Sequence, residues 1–375
     1  MALKIGILTL PIAENYGGIL QTIALYRYLH KEGHDIVLIY KKSYEIPWKR
    51  FAKEILLKIP FHNIKNIKTN HKIRKEWQKR KAFHRVFVEE EIFKISEDLY
   101  TKQDLENFTK KENFDVVIVG SDQVWRKAYI NDKYYKSYFL DFVDSKKTKK
   151  IAYAASFGKD YWEDENDNKD IYKLLQDFTG VSTREKSGIN VCKNSFGFND
   201  VKHVLDPVML MNKEFYENEI ISKYDTSRVS KGGLVTYILD EEDEKKEIID
   251  FVKENLELSK VNYLKGFKSL KITYSVPEWL SFFANADFVV TDSFHGMVFS
   301  IIFEKDFLLI GNEDRGMDRF ISLLSLLGLR NRLILNKSQL NKDKLEKINF
   351  DKVKKILNKE RKFSKEFLEG ALNGK

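Results

Sequence analysis

Short apolar runs that stop in polar or glycine-containing turns, each followed by an amphipathic stretch, recur along this chain and limit what it can fold into. The clearest is Phe114-Asp115-Val116-Val117-Ile118-Val119, which ends in Gly120-Ser121-Asp122-Gln123. Leu3–Leu10, His34–Tyr40, Lys150–Ala155 and Val201–Val204 repeat the design in the first part of the chain. Runs this short and this apolar suit strands buried on both faces, as in a parallel sheet whose crossover helices cover it. The pattern fades between Tyr216 and Gly233 and restarts at Leu234–Leu239. From there strands are expected at 261–264, 287–291 and 307–310, and helices at 242–256, 277–284 and 294–303. The expected fold is therefore α/β, with two Rossmann-like doubly wound domains facing a cleft. Residues 1–225 form the first domain, with a basic helical insert at 41–110, and 226–345 the second. A charged helical tail, 346–375, is expected to return to the first domain.

In such sheets ligands bind outside the carboxyl ends of the strands, so the turns there hold the candidate site residues. Phe288–Val290 runs into Thr291, Asp292 and Ser293, three good N-caps, then Phe294, His295 and Gly296 open a helix. A helix start offers free N–H groups and a positive dipole end to an anion. His295 is the candidate acid/base; the bland alternative is a satisfied histidine at a cap. Gly17 and Gly18 would let backbone approach a ligand, although an ordinary tight βα turn explains them equally well. Ser121, Asp122 and Gln123 sit at another strand end, where simple turn chemistry is the alternative. Arg184, in Ser182-Thr183-Arg184-Glu185, would suit an anionic ligand or merely pair with a neighbour. A loop from Gly311 to Arg319 carries Arg315 and Arg319.

Charge is uneven. The chain of 375 residues is +9 overall. Lys41–Arg85 holds 15 Lys or Arg against 3 Asp or Glu, a local +12, which leaves −3 elsewhere. A general nucleic-acid binder is thus disfavoured, because the basic run lacks a recognised module. Within it, Trp48, Phe51, Ala52, Ile55, Leu56 and Ile59 form a helical apolar stripe flanked by lysines, bounded by Pro47 and Pro60. Such a helix can lie on an anionic bilayer, so 47–85 is a candidate peripheral membrane contact; packing on the protein's own core is the commoner fate. Residues 71–90 and 96–108 are expected to be further helices. Mean hydropathy is −0.43, and no apolar run is long enough to span a membrane. One cysteine, Cys192, excludes an internal disulfide and any multi-cysteine zinc site, in keeping with a reducing cytoplasm. No cluster has metal-ligand spacing.

Taken in order, Tyr16-Gly17-Gly18-Ile19-Leu20-Gln21, Gly120–Trp125, Ser156-Phe157-Gly158, Ser182–Glu185, Leu205-Asp206-Pro207, Thr291–Gly296 and Arg315–Leu329 resemble the polysaccharide pyruvyl transferase family. The resemblance implies a GT-B arrangement and transfer of pyruvate from phosphoenolpyruvate to a sugar of a cell-surface glycan, giving a cyclic ketal. It implies His295 as acid/base, Arg184 as a phosphoenolpyruvate contact, and no cofactor or metal beyond the donor substrate. Some members have Arg-Leu-His where this chain has Ser293-Phe294-His295; Arg315 or Arg319, with N–H groups near Gly296, is the expected replacement. The acceptor in such pathways is often lipid-linked, which would place the enzyme at the inner face of the cell membrane. Rival readings are a GT-B glycosyltransferase using a nucleotide sugar and a non-catalytic relative; fold alone does not separate them.

Overall fold

The structure, a computed structural model, describes residues 2–12, 15–44, 84–130, 133–265, 273–311 and 316–374. The candidate membrane helix at 47–59, most of the charged stretch 71–90, and Arg315 lie outside the described residues.

Two wholly parallel sheets carry the fold. The first contains β1 (Lys4–Leu8), β2 (Asp35–Ile39), β3 (Val116–Val119), β4 (Lys149–Ala155), β5 (Phe178–Thr183) and β6 (Lys202–His203), in the order β2-β1-β3-β4-β5-β6. The second contains β7 (Leu234–Tyr237), β8 (Val261–Lys265), β9 (Phe288–Thr291), β10 (Phe307–Ile310) and β11 (Leu333–Ile334), in the order β11-β10-β9-β7-β8. In each sheet the strand order reverses beside its first strand, at β1/β3 and at β7/β9. These are the topological switch points, where diverging crossovers leave a crevice at the strands' carboxyl ends. The two crevices face each other, and this positions the site.

Sequence chemistry explains the central strands. Val116–Val119 and Phe288–Thr291 are buried throughout, as β-branched and aromatic runs between helical layers must be. The helices that matter below are α1 (Tyr16–Lys31), α2 (Lys186–Phe196), α3 (Val276–Ala284), α4 (Phe294–Ile302), α5 (Asp318–Leu327) and α6 (Phe350–Asn373). Helix α3 starts with a capping box, Ser275 and Glu278, and α4 with Ser293, whose Oγ accepts from the Gly296 N–H at 3.4 Å.

Several expected boundaries move. The helix expected at 96–108 begins at Lys102, because Thr101 and Asp104 form a capping box and Leu99 bridges to Lys41 upstream of it. Asp318 and Arg319, expected in a loop, occupy the first turn of α5. The expected strand at 201–204 is reduced to the two-residue edge strand β6.

Aromatic packing joins the halves. Tyr16, at the start of α1, stacks on Trp279 of α3 with centroids 5.2 Å apart, and its hydroxyl donates to the Tyr274 carbonyl at 2.7 Å. Tyr237 packs edge-on against both rings. On the other side, the Lys186 N–H at the start of α2 donates to Ser322 Oγ of α5 at 3.0 Å. A Cβ on Gly316 would stand 1.8 Å from the Gly158 carbonyl oxygen, so the backbones of the two halves touch there. Helix α6 returns to the first sheet. Its Ser364 Oγ accepts from the Leu205 N–H at 2.9 Å, its Arg361 Nε donates to the Met209 carbonyl at 2.8 Å, and its Ala371 fills the space a side chain at Gly180 would need.

Candidate functional site

The end of β6 supplies the group on which the site converges. Asp206, fully buried, lies at the start of a short 3₁₀ turn opened by Pro207, and its Oδ1 accepts from the Val208 N–H at 3.1 Å. Its other oxygen, Oδ2, accepts from Arg184 Nη1 at 2.7 Å and from Ser121 Oγ at 3.2 Å. His295 Nε2, arriving from α4 in the other half, stands 3.6 Å from that same oxygen. Burial alone would raise the Asp206 pKa, but His295 and Arg184 outweigh it and hold the carboxyl well below the usual carboxylate range. The charge there is therefore fixed. Burial lowers the Arg184 pKa, yet Asp206, Asp122 and Glu185 more than compensate, so the guanidinium is held firmly charged.

His295 is located by shape. A Cβ on Gly17 would lie 1.9 Å from His295 Nδ1, so the bare backbone at the start of α1 is what lets the ring in. The close approach expected at Gly17 is thus made by the imidazole rather than by a ligand. Gly296 has a comparable role: a Cβ there would meet Thr291 Oγ1 at 2.3 Å, and the glycine allows α4 to sit tightly on the end of β9. Neither glycine lines the cavity described below.

Phe294 lies between two arginines, with the Arg184 guanidinium 4.7 Å and the Arg319 guanidinium 5.4 Å from its ring centroid. Burial, together with the nearby charge of Arg184, pulls the Arg319 pKa down to about 10. Arg319 thus stays cationic at neutral pH while sitting in a place that favours an added anion. Glu185, behind this pair, accepts from the Phe157 and Gly158 N–H groups at 2.7 and 3.1 Å; burial raises its pKa, against the pull of Arg184 and Arg319.

Between the halves is a cavity of about 80 Å³ whose walls include Asp122, Gln123, Arg126, Ser293, His295 and Arg319. Asp122 adopts φ +77°, the left-handed region. Its carbonyl accepts from the Val124 and Ser156 N–H groups at 2.8 and 3.1 Å, which holds the turn in that conformation. Its Oδ1 is 3.5 Å from Arg184 Nη2. Gln123 Oε1 accepts from Arg126 Nη1 at 2.8 Å, and Gly158, at φ +68°, leaves room for that amide. Asp292, also in the wall, accepts from the Leu239 N–H at 2.7 Å and meets Lys245 Nζ at 3.2 Å, tying the loop after β7 to the end of β9.

The structure thus brings together His295, Ser293, Phe294, Arg319, Asp122 and Gln123 around one cavity. It sets Arg184 and Ser121 behind the wall, on Asp206, and Gly18 in a neighbouring cavity. Two residues went unread in the sequence. Asp206 was visible only as part of Leu-Asp-Pro, an ordinary turn signal. Arg126 follows Trp125 on a loop with no periodicity to point inward. Among the described residues no group of three His, Cys, Asp or Glu is placed to hold a metal ion, and no helix is long and apolar enough to cross a membrane.

The model of the polysaccharide pyruvyl transferase family matches residues 15–314, which take in the site from α1 to the end of β10 and stop short of Arg319 on α5. The chain belongs to the polysaccharide pyruvyl transferase family. A comparison with curated proteins found no match. Among solved structures, the chain is similar to a UDP-N-acetylglucosamine 2-epimerase from Rickettsia bellii, at 11% identity and TM-score 0.51, covering 98% of this chain and 96% of that one. It is also similar to a putative UDP-N-acetylglucosamine 2-epimerase from Listeria monocytogenes, at 11% identity and TM-score 0.49, covering 96% of this chain and 91% of that one. At this identity the likeness concerns the fold, which is the two-domain GT-B type.

Proposed function

We propose that this family member transfers pyruvate from phosphoenolpyruvate to a sugar of a cell-surface polysaccharide precursor and closes a cyclic ketal, with His295 as the acid/base. Phosphoenolpyruvate carries a carboxylate and a phosphate, and Arg126 and Arg319 on the cavity wall are the groups to bind them. Arg184 acts from behind by fixing Asp206 and Phe294.

The chemistry proceeds by protonation of the donor's C3, which leaves an oxocarbenium-like centre at C2. A sugar hydroxyl attacks C2, the bond from C2 to the phosphate oxygen breaks, and a second hydroxyl closes the ring. Of the two hydroxyl protons given up, one balances the proton now on C3 and the other leaves on phosphate. A single imidazole can deliver and recover these protons at neutral pH. The reaction consumes no oxidant and needs no cofactor other than the donor.

The observation that carries the reading is the meeting of His295 and Arg184, from opposite halves, on one buried carboxylate. There His295 Nε2 is left without a hydrogen bond among the described residues. Incubating the protein with phosphoenolpyruvate and galactose-, glucose- or mannosamine-type acceptors should release phosphate and yield a product heavier by one ketal-linked pyruvate. Release of a nucleotide from a sugar nucleotide, with phosphoenolpyruvate inert, would reassign the chain to glycosyl transfer. A lipid-linked acceptor presented at the inner face of the membrane, reached through 47–85, belongs to the same proposal. Cosedimentation with anionic liposomes, unchanged in a Trp48/Phe51/Ile55-to-Ser variant, would remove that part alone.

A further inference from the structure

Beside the His295 cavity lies a second one of about 260 Å³, and Asn15, Asp122 and Tyr129 line both. Their chemistry differs sharply. The first has Arg126 and Arg319 in its wall; among the described residues lining the second, Asp122 is the only charged side chain. Gln21, from α1, is 1% exposed and also lines the second cavity. Its Nε2 donates to the Gly18 carbonyl at 3.0 Å, to Thr22 Oγ1 at 2.8 Å and to Thr9 Oγ1 at 3.1 Å. A carbonyl can only accept, so the amide orientation is fixed. Gln21 Oε1 is consequently left as a buried acceptor with no hydrogen-bond partner among the described residues. Leaving such an atom unpaired is costly, and a donor-bearing ligand recovers that cost.

A cavity with a carboxylate and an orphaned amide oxygen, and no cation among the described residues that line it, disfavours phosphate or carboxylate and welcomes hydroxyl donors. The rings of Tyr129 and Tyr138 and the side chains of Leu10 and Ile12 offer surface for the C–H face of a pyranose. We propose that this second cavity binds the acceptor as a neutral sugar diol. Gln21 Oε1 takes the hydrogen bond of a distal hydroxyl, and Asp122, at the partition, takes that of the attacking hydroxyl and presents its oxygen to the donor's C2. The bonds made and broken are those given above for pyruvyl transfer, on which this inference rests. The left-handed turn at Asp122 serves the arrangement by placing one carboxylate on both sides of the partition.

Gly18 lines only the second cavity, and a Cβ there would make ordinary contacts, 3.4 Å to Asn15 Nδ2 and 3.5 Å to Asp122 Oδ2. Gly18→Leu therefore fills the cavity without backbone strain, and Gly18→Ala is its control. Ile12→Ala is a second variant, at a half-buried residue that lines the second cavity and not the first. The full chain is tested with phosphoenolpyruvate and the methyl glycosides of galactose, glucose and N-acetylmannosamine. Binding is read by saturation-transfer NMR and turnover by phosphate release. Gly18→Leu should raise the glycoside KM or Kd about tenfold or more while the phosphoenolpyruvate Kd stays within about twofold; Ile12→Ala should shift the same way by less, and Gly18→Ala should stay near wild type. Unchanged glycoside affinity in both Gly18→Leu and Ile12→Ala, or no saturation transfer to any of the three glycosides in the wild type, overturns the inference. Wild-type protein that binds a glycoside here yet releases no phosphate from phosphoenolpyruvate overturns the transfer reading instead and leaves the site standing.

Discussion

In the first sheet the strand ends carry charges already paired with one another: Arg184 on Asp206, Ser121 on the same carboxylate, Asp122 on Arg184. In the second, His295 stands at a helix start with its Nε2 unbonded among the described residues, and its position is set by the missing side chain of Gly17 across the interface. One half is organised by electrostatics and the other by steric fit. The hydrogen-bonded and ion-paired partners of that charge network lie on one sheet. The imidazole reaches that network only when α1 and α4 are docked, so the site is complete only in the assembled molecule.

Removing the imidazole breaks the comparison most severely. His295→Ala should lower turnover by roughly 10²–10⁴-fold while phosphoenolpyruvate still binds, which separates acid/base loss from donor loss in a kinetic and calorimetric pair of measurements. Next comes the front half. Asp206→Asn leaves the buried Arg184 without its main counter-charge and should destabilise the protein by about 3–5 kcal/mol, read by urea unfolding.

The pH dependence of that variant follows by linkage. The folded Asp206 pKa is depressed, so its ionisation stabilises the native state above the unfolded carboxyl value of about 3.9 and that contribution fades as pH falls toward the lower folded value. The wild type should therefore lose thermal midpoint on acidification through this window more steeply than Asp206→Asn. Equal slopes would mean the carboxylate is not held ionised by its neighbours.

The steric half is tested at Gly17. A methyl group there must displace the His295 ring, and because misplacement of about 1 Å can cost about 10²-fold, Gly17→Ala should lose activity on that order with the ion-pair network intact. Restored activity in crystals or solution with the ring unmoved would show that shape is not what locates it. Smallest is Tyr16→Phe, which removes the hydroxyl donating to Tyr274 and should cost about 1 kcal/mol of stability with little change in turnover at saturating substrate.

What could be read from the sequence divides along the same line. The switch-point strands Val116–Val119 and Phe288–Thr291 and the Ser293 cap were legible because burial on both faces and cap chemistry are local properties written in consecutive residues. Asp206 was not, since its partners Arg184 and Ser121 are 22 and 85 residues away and nothing local distinguishes a carboxylate in a turn from one that gathers a site. Gly17 read as a point of close approach to a ligand or as an ordinary tight turn, because the ring filling its empty side comes from the other half. Arg319 read as a loop residue because Met317, rather than a capping side chain, precedes α5, so no signal marked the helix start.

Helix α6 closes the chain against the sheet where the chain began, contacting β4, β5 and the turn after Asp206. The rear unit is therefore inserted into the front one and tethered by two crossings instead of one. Any widening of the cleft must twist both tethers together, which restricts it to a rotation about the line joining them and forbids free swinging. Cutting the chain before Phe350 would abolish that restriction and at the same time lay bare the face of Gly180, converting a hinged clamp into a pendant domain.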